Sequence, residues 1–158
     1  MILEYELGRH REEEDPILVI RRNLNRLDIK FYHAVETKRF RAFRNAPQSK
    51  IVLRDVPIFG DWLFIRGGLE TARRAQSTCY LGNLVCDKVW NGPIEIPDAQ
   101  MEAFQESMAT YNDTVRRRHA RGEKPTPQER QKFVKATEEV WQRVKDRQFG
   151  PQQEEKAA

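Results

Sequence analysis

The sequence predicts an α+β fold that ends in a helical extension. The first observation is that short segments between residues 1 and 97 alternate apolar and polar positions with period two, as half-buried strands do. The second is that residues 98–149 show the three- and four-residue spacing of amphipathic helices. A chain of 158 residues is long enough for one domain with such an appendage.

The N-terminal elements are predicted to be a strand and a helix. Ile2 to Leu7 alternates as a strand. Asp15 and Pro16 are a good helix start, because aspartate can cap a helix and proline fits its first turn. The helix should run to about residue 27, which leaves its arginines outside the core. Its core-facing stripe comprises Ile17, Ile20, Leu24 and Leu27.

Short strands dominate the middle of the chain. They are predicted near residues 29–35, 37–43, 50–55, 62–66, 84–89 and 94–96. A short helix is predicted at about 69–76. Together these elements make a sheet with helices packed on it.

Two long helices are predicted at the C-terminal end. The first begins at Asp98 and reaches the basic run 116–118, where cations suit a helix C-terminus. Thr126 and Glu129 have the spacing of a capping box that starts the second helix, which should end near Phe149. We expect an αα-hairpin. Its two apolar stripes comprise Met101, Phe104, Met108, Tyr111 and Val115, then Phe133, Val140, Trp141 and Val144.

The most informative segment runs from Pro57 to Arg66, where a proline-led turn precedes a strand with several aromatic residues. Alternation places Leu63 and Ile65 on one face of this strand. Trp62 and Phe64 then lie on the other face. A sheet covered on one side would expose the aromatic residues, which favours a partner-binding surface. The alternative is that helices cover both faces and that all four residues are core.

Three motifs in this order resemble the N-terminal domain of the NusG/RfaH family of transcription elongation factors. Pro57, Ile58 and Phe59, followed by Trp62 to Ile65, resemble the family strand "P-L-F-x-x-Y-L-F-V". Upstream, residues 27–34 resemble a "G-I-x-x-F/Y-x-P" strand, from which Asp28 and Ala34 depart. Downstream, the pattern "G-V-x-x-F-V-x-x-G-x-x-P-x-x-I-P" is followed in order by Gly82, Asn83, Leu84, Val89, Gly92, Pro93, Ile96 and Pro97. The resemblance covers roughly residues 1 to 110.

The resemblance implies a domain organisation. Residues 1–111 would form a NusG N-terminal-like (NGN) domain, an antiparallel sheet flanked by helices. Residues 112–149 would form the helical extension and residues 150–158 a disordered tail. Most full-length family members continue into a β-barrel domain of the KOW type, for which we expect no room here. One hypothesis is that the extension masks Trp62 and Phe64 until recruitment, as the helical C-terminal domain does in RfaH; the alternative is a permanent strut or a contact to a second protein.

The resemblance also implies bacterial RNA polymerase as a partner. The family's N-terminal domain binds the clamp helices of the largest subunit through an aromatic-lined depression, which promotes processive elongation and antitermination. The matching positions here are Phe59, Trp62 and Phe64. Arg73 and Arg74 lie in the segment that corresponds to the gate-loop contact, although this segment lacks a His-Thr-Thr pattern. Related factors can also slow polymerase, so the sign of the effect stays open.

Basic residues are grouped where they could contact nucleic acid. Between Lys38 and Arg54 there are six basic residues and no acidic one, in a predicted β-hairpin. The resemblance implies that the first helix faces upstream or non-template DNA. The candidates are His10, Arg21, Arg22, Arg26, Arg39, Arg41 and Arg44. Such side chains bind the phosphate backbone with little sequence specificity. The alternative is an ordinary solvated basic face. The acidic run 12–15 would repel phosphate and so limit the area of contact with nucleic acid.

Other classes of function have little support in the sequence. A run of about 18 apolar residues and a secretory signal are both absent, so we expect a cytoplasmic protein without a membrane span. Cys79 and Cys86 have no histidine at ligand spacing, so we expect reduced thiols and neither metal nor cofactor. Phosphate-loop and nucleophile motifs are absent, which argues against an enzyme with a small-molecule substrate. The competing interpretation is a freestanding RNA- or DNA-binding module without polymerase contact.

Overall fold

Strands and short helices fill the first part of the chain, and two long helices follow. The computed structural model describes residues 1–5, 16–42, 50–77, 81–86 and 92–149. The elements there are β1 (Ile2–Tyr5), α1 (Pro16–Arg26), β2 (Phe31–Tyr32), β3 (Val35–Arg41), β4 (Ile51–Pro57), β5 (Trp62–Ile65), α2 (Leu69–Gln76), β6 (Leu81–Leu84), α3 (Asp98–Ala120) and α4 (Pro127–Phe149). The predicted α+β class is confirmed. None of the helices in these described ranges is long and apolar enough to cross a membrane.

The chain divides into two compact units. The sheet unit comprises Met1–His33, Phe59–Ile96 and the chain from Trp141 onwards. The ribbon unit comprises Ala34–Ile58 and Pro97–Val140. Each unit is assembled from separate stretches of chain. The division at residues 111 and 149 that the resemblance implies stays a prediction, and the tail 150–158 lies outside the described residues.

The sheet unit contains a four-stranded sheet with the order β2-β5-β1-β6, in which each neighbouring pair is antiparallel. In the register of β1 and β5, Leu3 lies opposite Leu63. The buried core cluster comprises Leu3, Ile20, Leu24, Ile29, Leu63, Ile65 and Ala75. Each fully buried leucine or isoleucine contributes about 2 kcal/mol, so the aliphatic stripe of α1 and the aliphatic side chains of the strands hold this unit together.

α1 ends through a residue in the left-handed region. Asp28 has a φ of 55°. Its N–H donates to the carbonyl of Asn25 over 3.1 Å, and the N–H of Ile29 donates to the carbonyl of Leu24 over 3.0 Å. These two bonds define a Schellman motif in which Asp28 takes the place that glycine usually occupies. The predicted cap at the other end, Asp15, lies outside the described residues.

Three predicted strands differ from the observed elements. The strand predicted near residues 29–35 forms only as Phe31–Tyr32, and Val35 belongs to β3. β6 begins at Leu81 rather than near residue 84. The last predicted strand does not form within the described residues 92–97, where Ile94 N–H donates one bond of 2.9 Å to the carbonyl of Val85. Pro93 and Pro97 bound this segment. Because proline has no N–H to donate, it cannot extend a ladder of backbone bonds.

The ribbon unit contains a two-stranded antiparallel ribbon in which β3 and β4 pair along their whole lengths. Its predicted turn, at residues 43–49, lies outside the described residues. Asn112 of α3 lies at the edge of β3, where its Oδ1 accepts the N–H of Thr37 over 2.9 Å and its Nδ2 donates to the carbonyl of Val35 over 3.0 Å. One amide side chain thus bonds the strand edge as a neighbouring strand would.

α3 and the first part of α4 form the predicted αα-hairpin. The rings of Tyr111 and Phe133 stack between the two helices, with centroids 4.3 Å apart. The predicted capping box is confirmed at the start of α4. Thr126 N–H donates to the carboxylate of Glu129 over 3.1 Å, and Glu129 N–H donates to Thr126 Oγ1 over 3.2 Å.

Candidate functional site

Aromatic side chains of the sheet unit gather around β5. Phe59 stacks on Trp62 with centroids 5.9 Å apart and meets Phe64 edge-on at 5.7 Å. Tyr32 lies 6.4 Å from Phe64. From α4, Trp141 stacks on Phe59 at 5.9 Å and lies 5.2 Å from Trp62. We call these five residues the aromatic cluster.

The chain builds this cluster through a tight turn and a strand pair. Gly60 has a φ of 61°, a left-handed conformation that glycine adopts without strain. The turn at Gly60 lets the ring of Phe59 stack on Trp62, at the start of β5. Across the sheet, Tyr32 of β2 lies opposite Phe64 of β5, so these two rings form a cross-strand pair.

The aromatic residues are less exposed than the sequence predicts. The exposed fraction is 5% for Phe64 and 6% for Phe59, and Trp62 is half-buried. The aliphatic residues of β5 are buried, as predicted. Of the two alternatives, exposure is wrong for Phe64 and a place in the core is confirmed, because the rings of Tyr32 and Phe59 pack against it. Period two assigns residues to faces of a strand, but it does not reveal what covers each face.

Trp141 is the outer member of the cluster. It is 36% exposed, and the Nζ of Lys145 lies 5.0 Å from its ring centroid. The next turn of α4 is anchored by Val144, which is fully buried. Aromatic pairs contribute about 1 kcal/mol each beyond their buried area. Trp141 therefore covers Phe59 and Trp62 through two ring contacts of this size.

The aromatic cluster is uncharged at physiological pH. Burial raises the pKa of Tyr32 to about 12, because the phenolate would lose its hydration. The other four members have no ionisable group in the relevant range. The cluster therefore offers apolar contact rather than acid–base chemistry.

The predicted gate-loop residues lie on the surface of α2. Arg73 and Arg74 are both exposed. The Nη2 of Arg74 donates to the carbonyl of Leu27 over 3.2 Å, which links α2 to the end of α1 within the sheet unit. Arg73 forms no ion pair with a residue that the structure describes. Both guanidinium groups are thus accessible to a partner.

The predicted nucleic-acid contacts fall in both units. Those on α1, in the sheet unit, are exposed and comprise Arg21, Arg22 and Arg26. In the ribbon unit, Arg39 and Arg41 share one face of β3, and Arg41 is exposed. The Nε and Nη1 atoms of Arg39 are buried and find no hydrogen-bond partner in the described part of the chain. His10 and Arg44 lie outside the described residues.

Two members of the aromatic cluster were not predicted as site residues. Sequence analysis places Trp141 on the apolar stripe of α4 and Tyr32 in a strand, without joining either to β5. A contact between a C-terminal helix and a strand from the middle of the chain has no local signature. The available signal is that Trp141 is by far the largest side chain on its stripe and remains partly exposed.

The described residues contain no group of three or more histidine, cysteine, aspartate or glutamate side chains arranged to hold a metal ion. Cys86 is an exposed free thiol, and Cys79 lies outside the described residues. Neither cysteine is therefore assigned to a site.

Comparison with known proteins yields no relative: no protein-family model matches the chain, and no curated protein matches it.

Proposed function

We propose that this chain is a NusG/RfaH-like transcription elongation factor that binds the clamp helices of bacterial RNA polymerase and promotes processive elongation and antitermination. The aromatic cluster carries this proposal. Phe59, Trp62 and Phe64 stand at the positions of the family strand, and their rings lie together on an antiparallel sheet. Once Trp141 moves away, Phe59 and Trp62 would supply an uncharged surface that a pair of helices can pack against, with Phe64 packed beside Phe59. In this role the protein acts in the cytoplasm, as a binding protein and not as an enzyme.

The end of α1 supports the resemblance at a position where the sequence departs from it. The family pattern has glycine where this chain has Asp28. The φ of Asp28 is 55°, in the region that glycine enters without a steric penalty and aspartate tolerates better than most residues. The substitution therefore keeps the backbone geometry for which a glycine is suited.

The covered state of the cluster favours masking as the role of the helical extension. Trp141 contacts Phe59 and Trp62, which are two of the proposed polymerase contacts. Polymerase and Trp141 would compete for the same rings, so recruitment requires that Trp141 move away. Two aromatic contacts of about 1 kcal/mol each oppose this step. Interface anchors of about 2 kcal/mol or more each can offset them.

Upstream or non-template DNA is the second proposed partner, and the polymerase gate loop is a further contact for Arg73 and Arg74. The exposed arginines of α1 and the exposed Arg41 of β3 would supply cations for the DNA backbone. Their contribution would be sensitive to salt, because phosphate contacts release counterions. The aromatic contact, by comparison, would change little with salt.

The direct test is binding to bacterial RNA polymerase core enzyme. Trp62→Ala removes a proposed anchor and should weaken binding about 30-fold, which corresponds to about 2 kcal/mol. Leu18→Ala is the matched control, because Leu18 is an apolar residue of the sheet unit that is 53% exposed. This control should bind as the wild type does. Circular dichroism shows whether each variant is folded, and readthrough of a terminator in vitro should follow the order of affinities.

The second candidate is a freestanding RNA- or DNA-binding module. The observation that favours it is the row of exposed arginines on α1, which suits phosphate whether or not polymerase is present. Salt dependence separates the two functions. If the folded wild type does not bind core enzyme but binds nucleic acid with a steep dependence on salt, the freestanding module replaces the elongation factor as the proposed function.

A further inference from the structure

The turn between α3 and α4 carries positive charge that no role described above uses. Residues 116–129 contain four arginines and one lysine against two glutamates. Arg117, Arg121 and Lys124 are exposed, and none of them forms an ion pair with a residue that the structure describes. We call these three residues the basic tip.

The glutamates of this turn are already paired with another residue. Arg118 donates from Nε to the carboxylate of Glu129 over 2.9 Å. It also donates from Nη1 to the carboxylate of Glu123 over 3.2 Å. One arginine thus engages both acidic side chains. The segment as a whole therefore keeps an excess of positive charge.

The backbone of the turn is fixed where α3 ends. Gly122, with a φ of 74°, donates from its N–H to the carbonyl of His119 over 3.0 Å. Glu123 N–H donates to the carbonyl of Arg118 over 2.8 Å, which completes a Schellman motif. The capping box fixes the start of α4 in the same way. A turn held at both ends loses little conformational entropy when a partner binds.

The positions of the tip residues place like charges side by side. Arg117 and Arg121 are four residues apart at the end of α3, so their side chains lie on the same face of the helix. Like charges at this spacing repel each other. An anionic partner would relieve this repulsion.

We propose that the basic tip is a separate nucleic-acid contact that binds the sugar–phosphate backbone of duplex DNA. Residues 116–129 contain no phenylalanine, tyrosine or tryptophan, whereas proteins that bind single strands stack the bases on such rings. The segment also lacks leucine, isoleucine, valine and methionine, so it has no apolar anchor for a lipid surface. A rigid cluster of cations without aromatic or apolar side chains fits a duplex backbone. This inference stands whether or not the chain binds polymerase.

The test uses two double variants of the full chain with the same net charge. Arg117→Gln with Arg121→Gln removes two charges of the tip. Lys132→Gln with Lys135→Gln removes two exposed charges of α4 in the same unit. Affinity for a fluorescently labelled DNA duplex is measured by anisotropy at several salt concentrations. The tip variant should bind about tenfold more weakly at about 0.1 M salt, and its slope of log K against log salt should be shallower by about 2. The control should match the wild type, and thermal melting should show that both variants are folded.

Three outcomes would overturn the proposal. Equal losses in both double variants would mean that net charge, and not the tip, determines binding. An unchanged affinity of the tip variant would mean that the tip does not contact DNA. Tighter, tip-dependent binding of a single strand of the same length would exclude the duplex as the partner. Because polymerase is absent from this assay, a failure of the proposed function leaves its result unaffected.

Discussion

The ring of Trp141 lies almost parallel to the ring of Phe59, with the planes 6° apart and the centroids separated by 5.9 Å. Trp141 is 36% exposed, whereas Phe59 is only 6% exposed. One ring therefore shields the other from water. The cover of the aromatic cluster is itself aromatic and comes from the segment that begins at residue 141.

Replacing Trp141 should expose this cluster without unfolding the chain. We expect Trp141→Ala to bind more of a hydrophobic dye than the wild type does, and to lower the free energy of unfolding in urea by about 1–2 kcal/mol. Glu139→Ala changes an exposed residue of the same helix and serves as the control. Dye binding of the Trp141 variant at the level of this control would contradict the observed stacking.

The two hydrogen bonds between Asn112 and the edge of β3 should contribute strongly to the stability of the ribbon unit. Asn112→Ala leaves the N–H of Thr37 and the carbonyl of Val35 without this partner, which should cost about 2 kcal/mol. Asn112→Asp keeps an acceptor for Thr37, but it places a buried carboxylate oxygen against the carbonyl oxygen of Val35, so its cost should be at least as large. Urea denaturation measures both values. Faster hydrogen exchange of the Thr37 amide in the alanine variant would show that its hydrogen bond to Asn112 is lost. Equal free energies of unfolding of the wild type and the alanine variant would refute the expected contribution of Asn112 to stability.

Asp28 offers a substitution that should stabilise the chain. Its φ of 55° is unfavourable for residues with a Cβ atom, so Asp28→Gly should raise the free energy of unfolding by about 0.5 kcal/mol. Asp28→Ala has neither the freedom of glycine nor the polar side chain of aspartate, and it should destabilise by a similar amount. Thermal melting of the three chains checks this order, and a glycine variant less stable than the alanine variant would argue against the left-handed assignment.

The pair of Arg118 and Glu129 should make stability depend on pH in the acidic range. The hydrogen bonds from Arg118 lower the pKa of Glu129 below its ordinary value of 4.5. Because the pKa is lower in the folded state, the contribution of the pair is present above about pH 4.5 and is lost as the pH falls through the lowered pKa. The difference in melting temperature between wild type and Arg118→Gln should therefore shrink towards low pH, and more so in low salt, because both side chains are partly exposed. A difference that stays constant over this range would mean that ionisation of Glu129 is not involved.

Features with a local cause could be predicted from the sequence. The apolar stripes of α1, α3 and α4 repeat within each helix, so the existence of these helices follows from them. The capping box of Thr126 and Glu129 depends on two residues that are three positions apart, and the structure forms both of its hydrogen bonds. The aliphatic face of β5 also follows from simple alternation.

Features that depend on distant parts of the chain could not be predicted in this way. The burial of Phe64 depends on a ring from β2 and a ring from the preceding turn. The role of Asn112 requires that α3 lie at the edge of β3, and an asparagine within a helix gives no sign of a bond to a strand. The contact of Trp141 with Phe59 joins the C-terminal helix to the turn before β5, so no periodic pattern in either segment contains it.

We propose that Phe59 and Trp62 belong to a polymerase-binding surface that Trp141 covers. The most direct measurement is the affinity of wild type, Trp141→Ala and Trp62→Ala for RNA polymerase core enzyme, with each chain shown to be folded. We expect Trp141→Ala to bind about tenfold more tightly than the wild type. In this variant, binding no longer requires that the side chain of residue 141 first move away from Phe59 and Trp62. Trp62→Ala should bind more weakly than both. A folded Trp141 variant that binds core enzyme no better than the wild type would contradict the masking, and no binding by any of the three would contradict the claim as a whole.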